Sequence, residues 1–240
     1  MRLKIDIDFD KDEIPKDKNR IFISLFKTIL MKSDENLYRK LYGKGNTDRK
    51  KFTFALNMHN CKFNRESITI PEKNVSLFFS TTDMKLGIAF YNGFVLCKGE
   101  EISYKDIKLK ITNISLIKDK IFNNNLEVFK TNSPIVIRKH NKEDNTDWYY
   151  DLNSIEGYDL FMNSLRKQLL EELPESKYDL EEIRVEVISN KTVKVKHYEI
   201  EVLSNLAVLK FNAKPYILSH IYNSGLLSFK SAGFGMITTL

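Results

Sequence analysis

Cysteine is scarce in this 240-residue chain, which has only Cys61 and Cys97. Two thiols cannot supply a four-ligand metal framework. Met1 to Asp10 carry charges where a signal peptide needs an apolar core, so a cytoplasmic protein with reduced thiols is expected. Histidine is nearly as sparse. His59, His140, His197 and His220 are scattered, and none lies in a His-Glu-x-x-His spacing. Long apolar runs are missing too. The longest, Leu86 to Cys97, is broken by glycine and asparagine and is too short to span a bilayer. No Gly-x-x-x-x-Gly-Lys-Ser/Thr loop argues for nucleotide hydrolysis, and no Gly-x-Ser-x-Gly elbow for serine hydrolysis. The expectation is therefore no metal, no cofactor and no membrane.

Glycine is uncommon as well, with nine residues, yet three of them, Gly225, Gly233 and Gly235, fall within the last sixteen positions. Lys230 and Ser231 stand between them. Glycine permits positive φ and close approach of a backbone to a ligand. Successive amides in such a loop can receive phosphate, with Lys230 supplying charge. A plain hairpin turn explains the same spacing.

What is abundant is positive charge on a chain of ordinary globular composition. Hydrophobic residues make up 42% and charged residues 29%, with a net charge of +6. That balance suits a polyanionic partner. From Tyr38 to Lys51 there are six basic residues, Arg39, Lys40, Lys44, Arg49, Lys50 and Lys51, against Asp48 alone. Interleaved with Tyr38 and Tyr42, they suit phosphate contact beside base stacking; a solvated face is the plain alternative. Glu171 to Glu186 carry seven acidic residues against two basic, a surface expected to face away from nucleic acid.

Periodicity supplies the elements. Leu3 to Phe9 alternate as a half-buried strand. Asp17 or Asn19 can cap a helix with the stripe Ile21, Phe22, Leu25, Phe26, Ile29 and Leu30, which puts Arg20, Ser24 and Lys27 on the other side. Leu37, Tyr38, Leu41 and Tyr42 predict a short second helix ended by Gly43. Phe52–Met58, Cys61–Ile70 and Val75–Ser80 read as strands, Thr81–Asn92 as a helix, and Ile102–Ile117 as one long strand or a broken pair. This is the split β-α-β order of a ferredoxin-like domain. Asn123 to Asn125 mark a boundary, giving units 1–124 and 125–240.

In the second unit Asn153 and Glu156 can form a capping box for a helix with Tyr158, Phe161, Met162, Leu165, Leu169 and Leu173 inward, stopped by Pro174. Strands follow at Ile183–Ile188, Thr192–Tyr198 and Ile200–Leu209. Pro215 opens a helix to Asn223, and the glycine segment leads to a last strand. The fold class expected is α+β, two tandem ferredoxin-like, RRM-like domains with a C-terminal glycine-rich loop.

The ending Ala232-Gly-Phe-Gly-Met236, followed by a β-like run, resembles the C-terminal glycine-rich loop of the RAMP superfamily of RNA-binding proteins. It is most similar to the endoribonucleases that cut CRISPR repeat transcripts, CRISPR-associated family six. Leu25 to Leu56 resemble that family's first helix, short second helix and return strand. Asn132-Ser-Pro-Ile135 through Lys139 resembles the Ser-Pro-Ile segment opening its second half. The resemblance implies CRISPR repeat RNA as partner, other CRISPR effector subunits or a second copy of the chain as further partners, and metal-independent cleavage that leaves a 2′,3′-cyclic phosphate and a 5′-hydroxyl. A non-catalytic RNA-binding subunit is the alternative.

The family's histidine near the end of the second helix is replaced here by Tyr42, and its first-helix tyrosine by Lys27. Lys50 or Lys51 matches the lysine before the return strand. The catalytic centre implied is thus Lys27, Lys50 and Lys51 for charge stabilisation, with Tyr42 donating a hydrogen bond to phosphate or else packing on its own helix. RNA contacts are expected from Arg39, Lys40, Lys44, Arg49, Gly225, Lys230, Ser231, Gly233 and Gly235. His59, the one histidine near the basic loop in sequence, is a reserve general base.

Overall fold

The alternation of Leu3 to Phe9 produces β1 (Arg2–Phe9), the central strand of the first half. A computed structural model of the chain describes residues 1–43, 45 and 49–240, so the expected RNA contact at Lys44 lies outside the described residues. After β1 come β2 (Glu13–Pro15), α1 (Asn19–Ser33), α2 (Glu35–Tyr42), β3 (Phe52–Asn57), β4 (Lys62–Phe63), β5 (Ser67–Thr69), β6 (Asn74–Thr81), α3 (Met84–Leu96), β7 (Glu101–Tyr104) and β8 (Ile107–Ile117). The main sheet runs β3-β6-β1-β8-β7 and is antiparallel throughout. Without the edge strand β7, that is the ferredoxin-like order.

The α1 stripe is buried as its period requires, with Phe26 at the centre of a ring cluster. Phe52, Phe54, Phe79, Phe90 and Phe94 all lie within 6.3 Å of it, centre to centre. Several details differ from expectation. Cys61–Ile70 is not one strand; a turn closed by the Asn64 N–H on Ser67 O splits it into β4 and β5. These pair with β2 in a small separate sheet. Ile102–Ile117 is the broken pair, turning at Lys105 with φ of 54°. The third helix starts at Met84 because Asp83 accepts from the Leu86 N–H at 3.1 Å.

The second half holds β9 (Leu126–Thr131), β10 (Arg138–Asn141), β11 (Thr146–Tyr149), α4 (Ile155–Glu172), β12 (Arg184–His197), β13 (Ile200–Asn212), α5 (Pro215–Ser224) and β14 (Ile237–Thr239). Its sheet runs β12-β13-β9-β14, so β9-α4-β12-β13-α5-β14 repeats the order of the first half. Strand β9 was not expected from the sequence. β12 is one strand with a bulge between Val187 and Ser189, where two were expected. Helix α4 is capped by Ser154, whose Oγ accepts from the Gly157 N–H at 3.0 Å, rather than by Asn153 with Glu156. A separate core forms here around Phe129, Phe161 and Phe211, and it includes Phe122, ahead of the expected boundary.

Polar side chains join the halves. Alternation puts Arg2, Thr53 and Ser80 on the sheet face opposite α1, where each is no more than 2% exposed. Thr53 Oγ1 donates to Phe234 O at 2.8 Å and Ser80 Oγ to Asn223 O at 2.7 Å. The Arg2 guanidinium donates to Ile237 O at 3.0 Å and lies 3.9 Å over the Tyr222 ring. Neither expected cap serves α1, because both residues are spent on the same joint. Asp17 accepts from the Tyr198 N–H at 3.1 Å, and Asn19 Nδ2 donates to Ala232 O at 2.8 Å.

Candidate functional site

Helix α2 starts at Asp34, whose carboxylate accepts from the Leu37 N–H at 2.9 Å. It packs on α1 through Leu37 and Leu41, which brings its last residue, Tyr42, beside the outer face of α1. Lys27 Nζ lies 5.4 Å from the centre of the Tyr42 ring and Lys50 Nζ lies 5.0 Å from it. Two cations from separate elements thus share one aromatic ring. Burial lowers the Lys50 ammonium pKa, and the charge of Lys27 lowers it further. The expected grouping of Lys27, Tyr42 and Lys50 is present in space.

The Tyr42 hydroxyl is a correction. It is enclosed with no hydrogen-bond partner, and burial, with Tyr198 and Tyr38 nearby, pushes its pKa well up. What faces the lysines is the ring, not a hydroxyl offered to phosphate. Lys51 is exposed, and its backbone carbonyl accepts from Thr81 Oγ1 of β6 at 2.5 Å, away from the Tyr42 ring contacts of Lys27 and Lys50. His59 lies beyond the far end of β3. Six strand steps lead from Lys51 to Asn57, roughly 20 Å at the usual rise, which removes His59 as a base for this centre.

Around the centre, Arg39 is exposed and pairs with Glu35 at 2.7 Å, and Lys40 is exposed beside it. Arg49 is bonded to Glu171, and Lys230 Nζ lies 2.6 Å from Glu172 Oε1. The acidic end of α4 therefore meets basic residues of the candidate site. Burial alone would raise the Glu172 carboxyl, but His220 at 3.1 Å, Lys230 and Gln168 together bring it down to about 2. Lys230 is only 10% exposed, and burial lowers its own pKa. In this structure its charge is matched within the protein, by Glu172.

The glycines are likewise taken up within the fold. Gly225, Gly233 and Gly235 have φ of 75°, 90° and 73°. A Cβ on Gly233 would stand 2.8 Å from Phe54 Cζ, one on Gly225 2.9 Å from Thr53 Cγ2, and one on Gly235 2.1 Å from Leu226 O. The close approach they permit is to β3 and to their own segment. Ser231 is half-buried in the short 3-10 turn between them.

Sequence reasoning missed Arg20 and Tyr198 at this rim. The Arg20 guanidinium lies 4.9 Å over the half-exposed Tyr198 ring, which caps the tip of the β12–β13 hairpin next to Tyr42. Helical period puts Arg20 on the outer face with Lys27, but nothing local marks Tyr198 or their contact, which joins α1 to the second half.

A strand order of this kind in both halves, joined with basic residues on α1, on α2 and just ahead of β3, defines a RAMP-type protein. The family model for CRISPR associated protein Cas6, C-terminal, matches residues 117–239, just over half of the chain. The chain belongs to the Cas6 family, whose members process CRISPR RNA. Its fold is that of a Cas6-related protein from Pyrococcus furiosus, with a TM-score of 0.85, 20% identity, and coverage of 100% of this chain and 98% of that one. A RAMP protein described as binding different RNA substrates superposes with a TM-score of 0.82 at 22% identity, covering 100% and 99%. A third structure, a CRISPR associated protein Cas6, gives 0.76 at 20% identity with coverage of 100% and 99%. No curated protein matches the chain in sequence. Among the described residues no helix is long and apolar enough to cross a membrane.

Proposed function

We propose that this chain binds CRISPR repeat RNA in the cytoplasm and cleaves it without a metal at the Lys27–Tyr42–Lys50 centre. The observation that carries the reading is the pair of ammonium groups over one ring, with the Lys50 pKa lowered. In the reaction the 2′-hydroxyl oxygen bonds to the adjacent phosphorus as its proton leaves to a base. The phosphorus–O5′ bond breaks and O5′ takes a proton, giving the 2′,3′-cyclic phosphate and a 5′-hydroxyl. Lys50 gives up its proton more readily than an ordinary lysine and is suited to proton transfer. Lys27, exposed, stabilises charge on the phosphorane. Tyr42 positions both. Arg39, Lys40, Lys44, Arg49 and Lys51 would track the backbone.

A second reading is favoured by the enclosed Tyr42 hydroxyl and the absence of a histidine at the ring: an RNA-binding subunit of a CRISPR effector complex that does not cut. Labelled repeat RNA in EDTA separates the two. Cleavage products with a cyclic phosphate support the enzyme, retention of intact RNA supports the subunit, and neither result leaves no RNA role.

A further inference from the structure

Among the exposed aromatic side chains that neither the two main cores nor the lysine pair uses, one stands beside a lysine on a strand face. Trp148, the only tryptophan in the chain, is 64% exposed on β11. Lys139 on β10 stands directly across the hairpin from it. Residues opposite one another in an antiparallel pair share a face, so the indole and a lysine present one surface together. The other face is tied down. Arg138 donates to Asp147 at 3.0 Å, His140 Nδ1 lies 2.9 Å from the same carboxylate, and Tyr149 packs with Val136 and Phe234. The Arg138 guanidinium also lies 4.9 Å over the ring of Phe229, in the glycine segment. The ribbon is thus fastened by one face and offers the other.

Charge and polarity on the free face select the occupant. Among the described residues no carboxylate pairs with Lys139. Asp147 is spent on the opposite face, and Asp144 accepts from Thr146, leaving Glu143 at the turn. The exposed residues flanking the indole, Lys139, Asn141 and Thr146, are polar. A protein partner would call for a contiguous apolar patch. A flat π surface beside one unpaired cation suits a nucleobase and its phosphate instead.

We propose that the Trp148–Lys139 face is a second RNA contact, where an unpaired base stacks on the indole and Lys139 meets the neighbouring phosphate. It rests on the RNA-binding reading above and extends it to a ribbon of the second half. Stacking tolerates any base, so this site holds the strand and does not choose its sequence.

With one tryptophan, the emission of the full-length chain reports this site alone. Titration with a twelve-nucleotide oligoadenylate RNA should quench it saturably, with the midpoint found by mobility shift. Trp148→Ala should weaken binding about 5- to 150-fold, the range for one stacked base. Trp148→Phe should keep most of the affinity, and Lys139→Ala should reduce the salt slope by about 0.7. RNA bound with unchanged emission, and unchanged affinity in Trp148→Ala, overturns the site and leaves the lysine-centred reading standing. An emission maximum that shifts with protein concentration in the absence of RNA marks a protein contact and overturns it as well. No binding of oligoadenylate or of repeat RNA overturns both readings.

Discussion

Lys230 Nζ lies 2.6 Å from Glu172 Oε1, with the two side chains 10% and 18% exposed, so the glycine segment is fastened to the end of α4 by a largely dry ion pair. Gln168 reinforces it, donating to Gly225 O at 2.8 Å and accepting from the Leu227 N–H at 2.7 Å. A buried pair of this kind is costly to break from one side.

The Glu172 carboxyl sits at about 2 in the fold against an ordinary 4.5. A folded value below the unfolded one means the contribution is complete above pH 4.5 and is lost as pH falls toward 2. The shift corresponds to about 3 kcal/mol. Glu172→Gln should therefore destabilise the protein at neutral pH and flatten its stability between pH 4.5 and 2. Urea unfolding over a pH series measures this; parallel curves for the two proteins would refute it.

His197 acts in a higher window. It is 7% exposed among Tyr198, Phe229 and Phe234, and its Nδ1 has no partner. Burial, with Arg20 nearby, lowers its pKa to about 4 from 6.5. The unfolded chain takes up the proton first, so stability is full above pH 6.5 and declines by about 3 kcal/mol on the way to pH 4. His197→Phe should remove that decline and hold stability at neutral pH. An unchanged pH profile would show that another group titrates there.

Cleavage of labelled repeat RNA tests the lysine pair. Lys27→Ala or Lys50→Ala should slow it about a hundredfold, the usual scale for losing a charge-stabilising or proton-transferring group. Tyr42→Phe should cut within a few fold of the parent, since the hydroxyl is enclosed, whereas Tyr42→Ala should lose activity with the ring. Because burial and the charge of Lys27 lower the Lys50 pKa below an ordinary lysine's, the rising limb of the pH–rate profile should belong to Lys50 and be lost in Lys50→Ala. Full activity in Lys50→Ala, or a pH profile unchanged in that variant, would place the chemistry elsewhere.

Gly233→Val should damage folding before it affects RNA. The residue has φ of 90°, and its missing Cβ would press on Phe54 and Asn19. Backbone strain and overpacking together cost about 2–5 kcal/mol. Gly99→Ala is the control, with φ of 81° but open space around it, and should show the strain alone. Equal melting temperatures for the two variants would mean that the segment gives way.

Elements governed by local period were legible. The α1 stripe, the alternation of β1 and the Pro215 start of α5 each follow from a few adjacent residues. Strand β9 was not, because only Phe129 in it is fully buried and its alternation is blurred. The α1 start was misread because Asp17 and Asn19 answer to partners about 180 and 213 residues away. The site divides likewise. Lys27, Tyr42 and Lys50 could be named from the resemblance, but the orientation of the Tyr42 hydroxyl depends on packing. The Arg49–Glu171 and Lys230–Glu172 pairs join residues 122 and 58 apart, beyond any local pattern.

The trio Arg2, Thr53 and Ser80 sets how the two halves sit against each other. Opening the halves like jaws would strand three dry donors and their carbonyls at once, each loss costing about 1–3 kcal/mol. The two halves are accordingly held as one rigid pair, and any ligand that touches both meets surfaces already placed before it arrives, with no closing cost to offset.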